Sequence, residues 1–223
     1  MPEMMRHRVI EAILEVGLVT VFHNGDARVA KEVVRACLDG GARIVEFTNR
    51  GDRAYLTFNE LAELRDAELP ELILGAGTVS DAETASLYIN GGADFIVGPV
   101  FNPEVARLCN RRKVLYIPGC LTPTEISEAE EMGADIVKLF PASVATPGFV
   151  KAVLGPSPQT RIMASGGIKM DQGMMTEWIR AGAVALNLGS DLIRKELVAR
   201  GDYGEITRNV EQCIQWIREA RGD

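Results

Sequence analysis

The stretch Asp135-Ile136-Val137-Lys138-Leu139-Phe140-Pro141 carries four large apolar side chains in seven residues, follows a Gly-Ala pair and is closed by a proline. It reads as a short strand buried on both faces, as in a parallel sheet. Alternation puts Ile136, Lys138 and Phe140 on one face, Val137 and Leu139 on the other. The lysine departs from that pattern, because an unpaired ammonium in a low-dielectric site is costly. Two readings are open at this point. Lys138 ends its strand, snorkels to water and pairs with a carboxylate, or burial keeps its amine neutral so that it can attack a carbonyl and form a Schiff base.

Outward from this stretch, runs of the same kind recur. They are Leu18–Phe22, Arg43–Thr48, Leu72–Ala76, Asp94–Gly98, Val114–Ile117, Arg161–Ala164 and Val184–Leu188, which with Asp135–Leu139 make eight. Helical patterns lie between them, and Gly-Gly or Gly-Ala pairs end several of those helices before the chain returns to a strand. Strand–helix alternation predicts a parallel α/β architecture, and eight units predict a closed barrel over an open doubly wound sheet. A further amphipathic helix, about Glu3 to Val16, precedes the first strand. The expectation is one (β/α)₈ TIM barrel spanning residues 1–223, with an extra N-terminal helix and no linker dividing it.

Composition excludes some functions. A net charge of −7, with no cluster of Lys and Arg, argues against a nucleic-acid surface. No apolar run approaches ~18 residues, and Met1–Arg8 lacks the apolar segment of a signal peptide. Cys37, Cys109, Cys120 and Cys213 are far apart and show no metal-ligand spacing, which fits a reduced, cytoplasmic protein. His7 and His23 lie early and unpaired, and there is neither a Gly-x-Gly-x-x-Gly after the first strand nor a Walker loop. The expectation is a protein without metal or cofactor.

In such a barrel the chemistry sits at the C-terminal ends of the strands. Glu46 interrupts the second run as Lys138 does the sixth. If Ile44, Glu46, Ile136 and Lys138 face inward, an acid and an amine share one enclosed space. Its bland reading is an ion pair that satisfies Lys138, although such pairs seldom stabilise more than an apolar pair of similar size. Arg50, just beyond, has the planar fork that suits a carboxylate, or is a solvated loop residue. Thr78 offers a hydroxyl to the same carboxylate or is a turn residue. Ser165-Gly166-Gly167, followed by a helix after strand seven, and Gly189-Ser190, read as opening another after strand eight, suggest a phosphate cradle.

The runs Ile44–Arg50, Gly75–Val79, Val137–Ala142 and Ser165–Ile168, with Ile117-Pro118-Gly119 at strand five, resemble the 2-keto-3-deoxy-6-phosphogluconate (KDPG) and 4-hydroxy-2-oxoglutarate (KHG) aldolases. The resemblance covers nearly the whole chain, in order. It implies a class I aldolase on a (β/α)₈ barrel, commonly a homotrimer, acting on a small 2-keto acid. It further implies Lys138 as the Schiff-base lysine and Glu46 as the general acid/base. Arg50 and Thr78 would hold the pyruvate carboxylate, Pro99 and Phe140 would wall the pocket, and Gly166, Gly167, Gly189 and Ser190 would take the distal phosphate. Two segments depart from the family pattern, Thr48–Asp52 and Met163–Ser165. Both are expected at the distal end of the substrate, where they bear on the preferred aldehyde. The rival readings are another phosphate-binding barrel, an isomerase or synthase, and a non-catalytic ligand-binding barrel.

Overall fold

The structure, a computed structural model, describes residues 5–222. After helix α1 (Arg6–Val16) the strands are β1 (Leu18–Phe22), β2 (Ile44–Thr48), β3 (Ile73–Gly77), β4 (Phe95–Val97), β5 (Leu115–Ile117), β6 (Gly119–Cys120), β7 (Val137–Leu139), β8 (Ile162–Ser165) and β9 (Ala185–Leu188). The intervening helices are α2 (Ala27–Asp39), α3 (Ala54–Glu68), α4 (Ala82–Asn90), α5 (Pro103–Arg112), α6 (Pro123–Glu131), α7 (Pro147–Leu154) and α8 (Gln172–Arg180), with α9 (Lys195–Arg200) and α10 (Tyr203–Arg221) at the end. Every strand pairing is parallel, in the order β5-β4-β3-β2-β1-β9-β8-β7-β6.

The two ends of that order are β5 and β6, and they are halves of the one run read as strand five, extended past Pro118. Proline has no N–H to give to a ladder, so the strand is interrupted there. Because the two halves adjoin, the last neighbour in the sheet is also the first, and the nine segments close into the expected eight-fold barrel. The first run has its observed bounds; the others differ by one or two residues at an end. Asp135 and Ile136 precede β7, and Ser165 joins β8.

Alternation sorts each strand into two layers. Val45, Leu74, Ile96, Val137, Leu139, Ala164 and Leu186 point outward into the large core beneath the helices. Val19, Ile44, Ile73, Phe95, Leu115, Ile136, Met163 and Ala185 fill the barrel interior. Helix α1 plugs the N-terminal end of that interior with Val9, Ala12 and Ile13. It starts at Arg6; the expected start at Glu3 lies outside the described residues. The Arg6 guanidinium fastens it by donating to Asp135 at 2.6 Å and to Asn110 at 2.7 Å, and it also donates to the Gly133 carbonyl. Many outer helices start at a side-chain cap, such as Asp26, Asp81, Asn102, Thr122 and Asp171. Each such cap typically contributes about 1 kcal/mol. Among the described residues no helix is long and apolar enough to cross a membrane.

Candidate active site

The interior layer of apolar residues lies toward the N-terminal end of the barrel. Two residues further along each strand, on the same inward face, stand the groups that can do chemistry. Ile44 is followed by Glu46, Ile136 by Lys138, Met163 by Ser165 and Ala185 by Asn187. All four polar residues are buried, Lys138 at 7% exposure and Glu46 at 1%. They border a cavity of about 190 Å³ at the C-terminal ends of the strands.

Lys138 therefore does not snorkel. Its Nζ stands 3.8 Å from Glu46 Oε1 and 5.0 Å from the centre of the Phe140 ring. Beside it, its register partner Gly119 presents no side chain. A Cβ there would lie 2.2 Å from the Pro99 carbonyl, so Pro99 packs down against the strand next to the lysine.

Glu46 lies over β3. A Cβ on Gly77 would stand 1.9 Å from Glu46 Oε1, so the carboxylate occupies the space that any other residue at 77 would fill. The other oxygen, Oε2, accepts from the Asn187 side-chain amide at 2.7 Å, and Asn187 Oδ1 accepts from the Ser165 hydroxyl at 3.0 Å. This chain of contacts was not read in the sequence. Its signal was available: Asn187 interrupts Val184–Leu188 just as Glu46 and Lys138 interrupt their own runs.

Above this floor the remaining expected residues come together around the same cavity. Arg50 is exposed at the rim. Thr78 sits at φ +60°, a conformation disfavoured for a β-branched side chain and typically costing ~1–3 kcal/mol. Phe140 forms a wall, with Gly166 against it; Gly166 has φ +83°, and a Cβ there would come within 2.8 Å of the ring. Gly167, Gly189 and Ser190 also line the cavity.

Two expectations need correction. The Gly166-Gly167 loop is followed by a helix as expected, but α8 begins only at Gln172, where the Asp171 carboxylate caps it by accepting from Met174 N–H at 2.8 Å, so the glycines are not at its N-terminus. The Gly189-Ser190 segment enters a single turn, with Leu192 and Ile193 N–H on the Gly189 carbonyl, and α9 starts at Lys195. Asp191 ties the two loops together by accepting from Met170 N–H at 2.6 Å. The second correction concerns Asn49, expected near the distal end of a substrate. Its side chain turns outward and accepts from the Tyr88 hydroxyl at 2.9 Å, because it follows the outward parity of Phe47. Ser165, from the other departing segment, does face the cavity.

The site thus offers a buried amine, one carboxylate held in place, a rim arginine and two loops rich in glycine. Among the described residues no group of three His, Cys, Asp or Glu is gathered as a metal site. The Arg50 guanidinium at the rim favours an anionic ligand.

The profile of the family described as KDPG and KHG aldolase matches residues 9–209. A 2-dehydro-3-deoxy-phosphogluconate aldolase of Haemophilus influenzae is 32% identical over 213 residues, covering 95% of this chain and 97% of the relative. A 2-dehydro-3-deoxy-6-phosphogalactonate aldolase of Escherichia coli is 35% identical over 130 residues, 58% of this chain and 62% of that protein. Among solved structures, one described as native KDPGal superimposes with a TM-score of 0.82 at 27% identity, covering 92% of this chain and 96% of that one.

Proposed function

The chain belongs to the KDPG and KHG aldolase family, and is by that a carbon–carbon lyase, and we propose that it cleaves its substrate through a Schiff base on Lys138. One observation carries this reading. Lys138 Nζ reaches a cavity from a buried strand position, with a single carboxylate, Glu46, at 3.8 Å.

The substrate is a 2-keto-4-hydroxy acid: KDPG, cleaved reversibly to pyruvate and glyceraldehyde 3-phosphate, or KHG, cleaved to pyruvate and glyoxylate. Neutral Lys138 attacks the C2 carbonyl and gives a carbinolamine, which loses water to form an iminium. Glu46 takes the proton of the C4 hydroxyl. The C3–C4 bond breaks with its electron pair drawn into the iminium, which releases the aldehyde and leaves the enamine of pyruvate. Glu46 returns a proton to C3, and hydrolysis frees pyruvate and the amine. A base so placed is typically worth ~10²–10⁴-fold in rate.

Arg50 and Thr78 hold the substrate carboxylate, the arginine through two parallel hydrogen bonds. Pro99 and Phe140 flank the reacting carbons. Gly166, Gly167, Gly189 and Ser190 take the distal phosphate through backbone N–H groups. The same reading makes the protein a cytoplasmic homotrimer. Four free, buried cysteines fit a reducing compartment, and small barrels of this family commonly associate.

The test is reduction with borohydride in the presence of pyruvate, followed by intact mass and peptide mapping. A stable adduct of lactyl mass on Lys138 is expected. Folded protein that forms no adduct would overturn the Schiff-base reading and favour a barrel in which Lys138 only holds charge.

A further inference from the structure

The two oxygens of Glu46 have different surroundings. Oε1 faces Lys138 across 3.8 Å, while Oε2 is bound by Asn187 Nδ2 at 2.7 Å. Asn187 comes from β9, two strands away from β2, and reaches Glu46 past the inward face of β1. The amide orientation is set from both sides. A carbonyl at 2.7 Å from a carboxylate would repel it, so the nitrogen must face Glu46, and the oxygen then faces Ser165, whose hydroxyl can donate to it at 3.0 Å. Ser165 and Asn187 are register partners on β8 and β9, so the sheet itself holds that second bond.

An apolar residue would suit the inward face of β9 at this depth, where Ala185 precedes it. A buried amide is costly unless its groups are paired, and here both ends are. We propose that Asn187 is a positioning residue. It pins Glu46 Oε2 so that Oε1 is the oxygen presented to Lys138 and to the carbons of a bound keto acid. Ser165 locks the amide that does the pinning. The inference rests on the reading of Lys138 and Glu46 given above, and it adds the group that decides which carboxylate oxygen carries the proton to and from C3.

Two readouts separate this role from packing. Borohydride trapping with pyruvate needs only the imine on Lys138. Exchange of the pyruvate methyl hydrogens for solvent deuterium needs, in addition, an acid/base held at C3. In Asn187→Leu, which keeps the branched skeleton and removes the donor, the trapped adduct should stay complete while methyl exchange falls about 10–100-fold, part of the value of a placed base. In Ser165→Ala the same signature is expected at a few-fold, and this variant carries the test if Asn187→Leu does not fold. Wild-type exchange rates in the folded variants would reduce Asn187 to a packing residue. Loss of trapping together with exchange would place its effect on Lys138 or on binding, and would also overturn the inference. Failure of the wild-type protein to trap pyruvate is a separate outcome that removes the Schiff-base reading and this inference with it.

Discussion

Arg65 and Asp94 form a buried ion pair toward the N-terminal end of the barrel, and Lys138 and Glu46 form another at its C-terminal end. In the first, Arg65 Nη1 donates to Asp94 Oδ2 at 2.9 Å and to the Gly92 carbonyl at 2.7 Å, and Nε donates to Asp66 at 2.7 Å. Asp94 Oδ2 also accepts from Leu74 N–H at 2.9 Å. Burial opposes the charge on Arg65, but Asp94 and Asp66 outweigh it, and its pKa is raised above the ordinary arginine value. A raised cationic pKa contributes stability at every pH below the unfolded value, so this pair holds α3 to β4 throughout the range in which proteins are handled. In the second pair the charges stand 3.8 Å apart, beyond hydrogen-bond reach, and both face a cavity. The first pair is closed by direct bonds. The second keeps its amine available, which a closed pair could not do.

Lys138→Met should lower turnover on the order of 10⁴-fold or more, the scale of losing a nucleophile. Its unfolding free energy in urea should fall by less than that of Arg65→Met, because its pair stands beyond hydrogen-bond reach and faces a cavity. Arg65→Met should do the reverse. It leaves Asp94 buried without its arginine and should cost about 3–5 kcal/mol, while the folded fraction keeps wild-type turnover. If Lys138→Met were the less stable of the two, or Arg65→Met the less active, the division into a structural and a reactive pair would be wrong.

A smaller effect is expected from Gly77→Ala. The added Cβ cannot share its place with Glu46 Oε1, 1.9 Å away, so the carboxylate must move. Turnover should fall about 10²-fold, within the range a displaced base loses, while borohydride still traps pyruvate on Lys138. Undiminished turnover would mean that the carboxylate works from a position other than the one seen here.

Much of this was legible in the sequence, and the reason lies in the strands. Parallel strands buried on both faces are nearly pure apolar runs, so Glu46 and Lys138 stood out by residue type alone, and period-2 alternation placed them on the same face as Ile44 and Ile136. Glycine-ended helices gave the eight-fold beat. Asn187 carries the same kind of signal more faintly, because an amide in an apolar run is a weaker anomaly than a charge. What was not legible depended on contacts distant in sequence. That Asn49 turns to Tyr88, that α8 starts well beyond Gly167, and that Pro118 divides one strand into β5 and β6 are outcomes of packing and of which N–H finds a partner. Arg65 gave no warning at all, since an arginine in an amphipathic helix is ordinarily solvated.

The same contrast between closed and open burial extends to the thiols. Cys37, Cys109, Cys120 and Cys213 are all free and buried, and burial pushes each thiol up to about 12. Cys120 is the informative one. It is the register partner of Leu139, one residue beyond Lys138, yet it follows the outward parity into the core beneath the helices. Its Sγ lies 3.6 Å from the Glu125 carbonyl, and Glu125 and Glu130 disfavour its thiolate further. A thiol at that value is only about 10⁻⁴ ionised at pH 8, and the thiolate is the reactive form. Native protein should therefore release almost no colour with a disulfide reagent over minutes, and four equivalents after unfolding in urea. Saturating pyruvate should leave that result unchanged, because none of the four sulfurs faces the cavity. Fast modification of Cys120 in the native protein would show that the wall behind Lys138 opens, and that the amine's neighbourhood is reached from outside the barrel as well as through its mouth.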